Sequence, residues 1–244
     1  MSEVKPISLS GLSVARERRF FIWLAGSIVA LVFVGFARTY YLHSFFDTPK
    51  LSTFLHVHGA VMTGWILLFA VQTFLIASHR TPVHRVLGAF GAFYALLVVV
   101  MGCTATVLAA RREVLAHSQY VAGFLSVLAL ELTQMLLFAS LVAAAVWFRH
   151  RGAYHKRLML LATFCILPNP IVRLFIWAGF GSNLMILTVW ALLVTTVALL
   201  DSRRNRRLHP AFGYGATVII TFLYLAYFGS LTQLWQQFAS KAVS

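Results

Sequence analysis

Acidic residues are scarce in this chain: six Asp and Glu stand against twenty Lys and Arg in 244 residues. Carboxylates this few, and almost absent from the apolar runs, offer little to hydrolytic chemistry that works through paired acids. Cysteine is limited to Cys103 and Cys165, with no CxxC spacing and no nearby His, so neither a disulfide framework nor a zinc site is signalled. Both read as small apolar fillers. There is no Walker or dinucleotide glycine loop and no nucleophile-elbow phrase around a serine. The last apolar run holds no lysine, Lys241 lying beyond it, which argues against a retinal-type protein.

What the chain has instead is apolar length. Hydrophobic residues make up 60% of it, charged residues 11%, and the mean hydropathy is +0.84, which excludes a soluble domain of any size. Seven runs each exceed the roughly 18 residues that mark a bilayer-spanning helix, and in lipid only backbone bonds closed within the helix are tolerated. We expect an all-α, polytopic membrane bundle of seven transmembrane helices near Phe20–Leu42, Phe54–Ala77, His84–Ala110, Tyr120–Phe148, Tyr154–Gly179, Asn183–Leu200 and Ala211–Gln236. This gives one transmembrane domain over 20–236, a basic N-terminal tail over 1–19 and a short C-terminal tail over 237–244. The first run follows a basic stretch as a secretory signal would. Its length and the lack of a small-residue cleavage pattern keep it as a helix.

Basic residues are distributed unevenly between the two sets of loops. Lys5, Arg16, Arg18, Arg19, Arg80, Arg85, Arg149, Arg151, Lys156, Arg157, Arg203, Arg204, Arg206 and Arg207 fall on one face; Arg38, Lys50, Arg111, Arg112 and Lys241 fall on the other. Cytoplasmic loops carry the positive excess, so the expected N-terminus is cytoplasmic and the C-terminus outside. The net charge of +14 is spread over loop ends rather than gathered into a groove, which points to anionic lipid head groups and away from nucleic acid.

Ionisable groups at membrane depth are expensive and therefore candidates for function. Glu131 lies about eleven residues from the outer end of the fourth span and Arg173 about seven from that of the fifth, a depth difference of roughly 6 Å that an arginine side chain can bridge. His58, Gln134 and Asn169 reach the same outer half, so a ligand pocket of His58, Glu131, Gln134, Asn169 and Arg173 is expected. Pro168-Asn169-Pro170 removes two backbone donors at mid-membrane, a break tolerated beside a cavity or polar partner. The competing reading is a structural Glu131–Arg173 ion pair joining two helices.

Histidine recurs at the basic-side starts of three spans: His84-Arg-Val-Leu-Gly88, His155-Lys-Arg-Leu-Met159 and His209-Pro-Ala-Phe-Gly213. One use is interfacial, at helix starts beside lipid phosphates. The other is ligation of haem or metal by imidazoles from different helices at equal depth, for which His84 and His155 are the inner candidates and His58, with Met62 one turn below, the outer one. His117 offers a weaker partner to His58.

These phrases carry a resemblance. His58-Gly59-x-x-Met62, Trp65 and His84-Arg85-x-x-Gly88 resemble the first half of the membrane di-haem cytochromes b, over the second to fifth spans. That resemblance implies haem b held by paired histidines near each membrane face. It departs from the pattern at His117, which lies outside its span, and at Glu131, which occupies a depth such proteins keep apolar. Over nearly its whole length the chain is similar to little-characterised bacterial seven-helix inner-membrane proteins with a His-Gly phrase, a His-Arg-x-x-Gly phrase and a His-Lys-Arg-Leu-Met phrase. This implies the bacterial inner membrane and no particular activity.

Three functions remain open at this point. They are a redox protein holding haem b or meeting a quinone, a carrier or sensor for a small anionic or zwitterionic solute, and a structural or assembly subunit of a membrane complex in which Gly88, Gly91 and Gly102 permit close helix approach.

Overall fold

The computed structural model describes residues 9–46, 48, 50–179 and 181–244, with side chains from residue 15 onward. Among them there is no strand. The helices are α1 (Leu9–Phe36), α2 (Thr53–Ala77), α3 (Thr81–Leu115), α4 (Val121–Trp147), α5 (Gly152–Cys165), α6 (Pro168–Trp177), α7 (Asn183–Asn205), α8 (Pro210–Ser230) and α9 (Gln233–Val243). A π-helical turn, Ala37–Tyr41, extends α1, and a 3₁₀ turn, His43–Phe45, follows it.

Seven of the helical segments among the described residues are long and apolar enough to cross a membrane: Ala15–Tyr41, Thr53–Ala77, Thr81–Leu115, Val121–Trp147, Gly152–Trp177, Asn183–Asn205 and Pro210–Ser230. Large apolar side chains point away from the bundle along these segments. Trp23 is 76% exposed, Phe93 79% and Leu96 65%. A soluble protein does not leave so much contiguous apolar surface uncovered, whereas lipid covers it without cost.

The helix starts are set by local chemistry. Ser52, Ser182 and Thr232 each accept a hydrogen bond from the backbone N–H three residues on, at 3.3, 3.2 and 3.3 Å, and so satisfy donors that a first turn leaves free. Pro occupies the first turn of α3, α6 and α8, where its missing N–H has no helical partner to lose. At the end of α7, Arg206 takes the left-handed conformation (φ 54°) and stops the helix.

Helix α4 is the hub, packing on α3, α5, α8 and α9. The sequential neighbours α1–α2, α2–α3, α3–α4 and α4–α5 pack as antiparallel pairs, while α6 packs on α1 and α7, and α8 on α5 and α7. The core is built on fully buried Trp65, Phe138, Phe164, Trp190 and Phe212. Trp65 meets Phe138 edge-on at 4.8 Å between ring centroids, fastening α2 to α4.

Several boundaries differ from those expected, among them the sixth span, which runs to Asn205 rather than Leu200. The basic tail is helical from Leu9 and runs into α1 without a break. The third span continues from Thr81 to Leu115, beyond both of its expected ends. The fifth span is not one helix: α5 stops at Cys165 and α6 starts at Pro168, with Ile166 and Leu167 as the joint. Pro168 and Pro170 cannot donate to Phe164 and Ile166, so the ladder cannot continue. Trp190 Nε1 donates to the Phe164 carbonyl at 2.7 Å, and Leu167 N at 3.1 Å, which replaces the lost bond. Gly35 makes this joint possible from the other side, because a Cβ there would lie 2.6–2.8 Å from Pro170 Cβ, O and Cα.

The seventh span ends at Ser230 rather than Gln236, and the expected tail over 237–244 belongs mostly to α9. Helix α9 packs on α3 and α4 through Ala239 and Val243. Trp235 Nε1 donates to the Leu125 carbonyl at 2.8 Å, and Gln236 Nε2 to the Ser230 carbonyl at 2.8 Å. These side-chain bonds need the chain to turn back on itself, which a continued straight helix forbids.

Candidate functional site

Two polar regions lie inside the bundle, one at each end. The end that carries the starts of α3, α5 and α8 is the basic face; the opposite end is the far face.

At the basic face α3 and α5 each bring a histidine in their first turns. The rings of His84 and His155 lie 6.1 Å apart between centroids, with their planes at 86°. Helices α3 and α5 are both antiparallel to α4, so two residues near their N-termini reach the same depth beside its C-terminal end. His155 Nδ1 is 2.8 Å from the Ala145 carbonyl of α4, which fixes the ring and leaves Nε2 free. His84 Nδ1 is buried without a hydrogen-bond partner. Gln72 of α2 donates from Nε2 to the His84 carbonyl at 3.2 Å, while its Oε1 is likewise buried and unpartnered. Unsatisfied buried polar atoms are rare and demand a reason, and two of them sit here around an imidazole pair. The third repeated histidine, His209, packs edge-on against Tyr154 at 4.6 Å and accepts from Ala211 N, so it serves as the cap of α8. Burial and the positive charge of Arg157 hold its imidazole below the ordinary range.

His58 does not join this pair. It starts α2 while Gln72 and the α2–α3 loop end it, and the 19 residues from His58 to Ala77 rise roughly 28 Å. Its Nδ1 lies 3.3 Å from the Met101 carbonyl of α3. Met62, one turn further along α2, packs against the apolar core. Among the described residues no three His, Cys, Asp or Glu side chains gather as a metal site would require. The expected set His58, Met62, His84 and His155 is therefore divided between the two ends, and only His84 and His155 are brought together.

In the far half Glu131 is held by Asn169, whose Nδ2 donates to Glu131 Oε2 at 3.2 Å. Among the described residues no Glu131–Arg173 contact falls within 4.0 Å, although the two charges act on each other at longer range. The helix joint explains this. It turns Asn169, the second residue of α6, toward α4, and Arg173 follows one turn later nearer the far face. Gln134, one turn along α4 from Glu131, is 4% exposed and its Oε1 has no partner. Of the five residues expected in this pocket, Glu131 and Asn169 touch and Gln134 shares Glu131's face. His58 is tied to α3 instead.

Sequence reasoning missed a third cluster. Arg157 and Asp201, 2% and 1% exposed, form a two-bond pair at 2.9 Å (Nε–Oδ2) and 2.8 Å (Nη2–Oδ1). Arg157 Nη1 donates to the Ala153 carbonyl, and Glu17 of α1 lies 3.4 Å from Arg157 Nη2 and 2.5 Å from Lys156 Nζ. This locks α1, α5 and α7 at the basic face. The available signal was scarcity: in a chain with six carboxylates, an Asp next to Leu199 and Leu200 is itself informative.

Comparison of the chain with family models, with curated proteins and with solved structures found no match.

Proposed function

We propose that this chain is a multi-pass membrane redox protein whose His84 and His155 hold a haem b at the basic face. In this reading that face is the cytoplasmic side of a bacterial inner membrane, and the excess of Lys and Arg on it supports the cytoplasmic placement. The separation of the two imidazoles carries the reading. At 6.1 Å between ring centroids the two imidazoles are near enough to be shared by one metal centre, and a haem iron would need only these two side chains from the protein.

The residues present fit such a group in two further respects. His155 has its Nδ1 tied to a backbone carbonyl, the arrangement that fixes the tautomer of metal-binding imidazoles. His84 keeps a buried, unpartnered ring nitrogen. Arg80, Arg85 and Arg151 lie near the pair in sequence, and a bound haem's anionic propionates would call for such positive charge. A bound haem would supply one-electron transfer. The chain's own part is to present two imidazoles at one depth and to hold the His155 ring against Ala145.

The test is spectroscopic. Protein purified in mild detergent from a haem-producing host is expected to show a Soret band and split α and β bands on reduction, lost in both His84→Ala and His155→Ala. A colourless protein that takes up no added haem refutes the proposal, as does a haem spectrum unchanged in both variants. An unchanged unfolding midpoint in the variants separates loss of ligand from loss of fold.

A further inference from the structure

Helix α9 is too short to cross a bilayer and too apolar on one side to stand in water. Its 11 residues rise about 16 Å, against a hydrocarbon core of about 30 Å. Residues four apart share a side of a helix, and in α9 they sort into three rows. Trp235, Ala239 and Val243 are the row turned to the protein, with Ala239 and Val243 buried against α3 and α4. Leu234, Phe238 and Ala242 form an exposed apolar row, Leu234 being 81% and Phe238 64% exposed. Gln233, Gln237 and Lys241 form an exposed polar row. Neighbouring rows lie about 100° apart, so a protein side, an apolar side and a polar side divide the circumference almost evenly.

The depth of α9 is marked on α3. The 25 residues between Arg85 and Arg111 carry no charge and rise about 37 Å, enough to cross the hydrocarbon with some tilt. Ala110, the last of them, belongs to the buried cluster that α9 completes, and the next two residues, Arg111 and Arg112, are exposed. Helix α9 is therefore held where hydrocarbon gives way to head groups at the far face. Phe228 and Leu231, exposed at the end of α8, lead into the apolar row along the chain, so the lipid-facing flank of α8 continues onto α9. The bonds from Trp235 to Leu125 and from Gln236 to Ser230 fix the roll of the helix, so its free sides cannot exchange places.

We infer that α9 is an in-plane anchor docked on the phospholipids of the far leaflet, with Leu234, Phe238 and Ala242 against the upper acyl chains and Gln233 and Gln237 in water. Lys241, in the polar row, carries a positive charge at the level of the lipid phosphates. The occupant follows from continuity and depth: a side that extends a lipid-facing flank, at the edge of the hydrocarbon, meets the same solvent as that flank. This surface lies at the opposite end of the bundle from the imidazole pair and does not depend on it.

The test uses the full-length protein in phosphatidylcholine and phosphatidylglycerol nanodiscs. Nitroxide labels are placed one at a time through Leu234→Cys, Phe238→Cys, Gln233→Cys and Gln237→Cys, all exposed positions, in a Cys103→Ala background; Cys165 is fully buried and stays. Each label is read by its accessibility to oxygen, which concentrates in hydrocarbon, and to a water-soluble nickel chelate. At 234 and 238 oxygen is expected to exceed nickel, and at 233 and 237 the order is expected to invert. A label at Leu96→Cys, exposed within the apolar stretch of α3, gives the hydrocarbon reference, and the ratio at 234 and 238 is expected to fall below it. The inference is overturned if nickel exceeds oxygen at 234 and 238, which puts that side in water, or if all four positions match the Leu96 reference, which submerges the helix. It is also overturned if 234 and 238 are shielded from both reagents in a protein that runs as a dimer, which makes a second copy the occupant. Should the Cys103→Ala background fail to fold, tryptophan at the same four positions, read by brominated-lipid quenching above that of the parent, keeps the test decisive.

Discussion

Removing Asp201 gives the most demanding test of how the bundle is held at its basic face. In Asp201→Ala the Arg157 guanidinium, 2% exposed, loses two hydrogen bonds of 2.9 and 2.8 Å and its buried counter-charge at once. Breaking one side of a buried pair costs about 3–5 kcal/mol, because a charge is left without compensation. Glu17 at 3.4 Å supplies partial replacement, which places the expected loss near the lower end, about 3 kcal/mol. For a chain of this length each kcal/mol moves the unfolding midpoint by about 2–4 °C, so a fall of about 6–12 °C is expected in detergent-solubilised protein followed by circular dichroism. The double variant Arg157→Met with Asp201→Leu removes both charges and fills the space, and is expected to recover most of the loss. A single variant that melts within about 2 °C of the parent, or a double variant as unstable as the single one, refutes the claim that this pair joins α5 to α7.

Three other outcomes follow from the same coordinates. Gly35→Ala brings a Cβ to 2.6–2.8 Å from Pro170, two of the three contacts being backbone atoms, so α1 must move off the joint; a loss of about 1–3 kcal/mol in chemical unfolding is expected, and a neutral result refutes the close approach. Trp190→Phe removes the 2.7 Å donor to Phe164 O and is expected to cost about 1–2 kcal/mol, whereas an unchanged midpoint shows that Leu167 N alone satisfies the carbonyl. His209 is held below its ordinary value by burial and by Arg157, so the folded state resists its protonation. Its contribution is intact above the unfolded pKa of 6.5 and declines as pH falls below it. A shallower acid decline in His209→Asn, which keeps a capping acceptor, is the expected observation, and an unaltered acid limb refutes it.

Much of the architecture was readable before any coordinates. The seven apolar runs and their approximate limits follow from hydropathy and length, because in lipid the backbone leaves the chain no alternative to helices. His84 and His155 were legible as a pair by depth alone, since both follow short loops at the same end. The joint at Ile166 and Leu167 was signalled by Pro168-Asn169-Pro170, but not how it turns Asn169 to hydrogen-bond Glu131. That outcome depends on a rotation of α6 against α4, which sequence spacing within one helix does not encode.

The linear chain thus fixed the number of spans, the unequal charge of the two ends and the presence of costly polar groups within apolar runs. Each of these depends on composition and on distance along one helix. The tertiary structure alone decided that Glu131 meets Asn169, that Arg157 turns inward to Asp201, that His58 goes to Met101 rather than to the far-half cluster, and that α9 folds back on α3 and α4. The physical reason is the same throughout: a buried polar atom takes whichever partner the azimuth of the neighbouring helix presents, and that azimuth is set by packing around Trp65, Phe138 and Trp190.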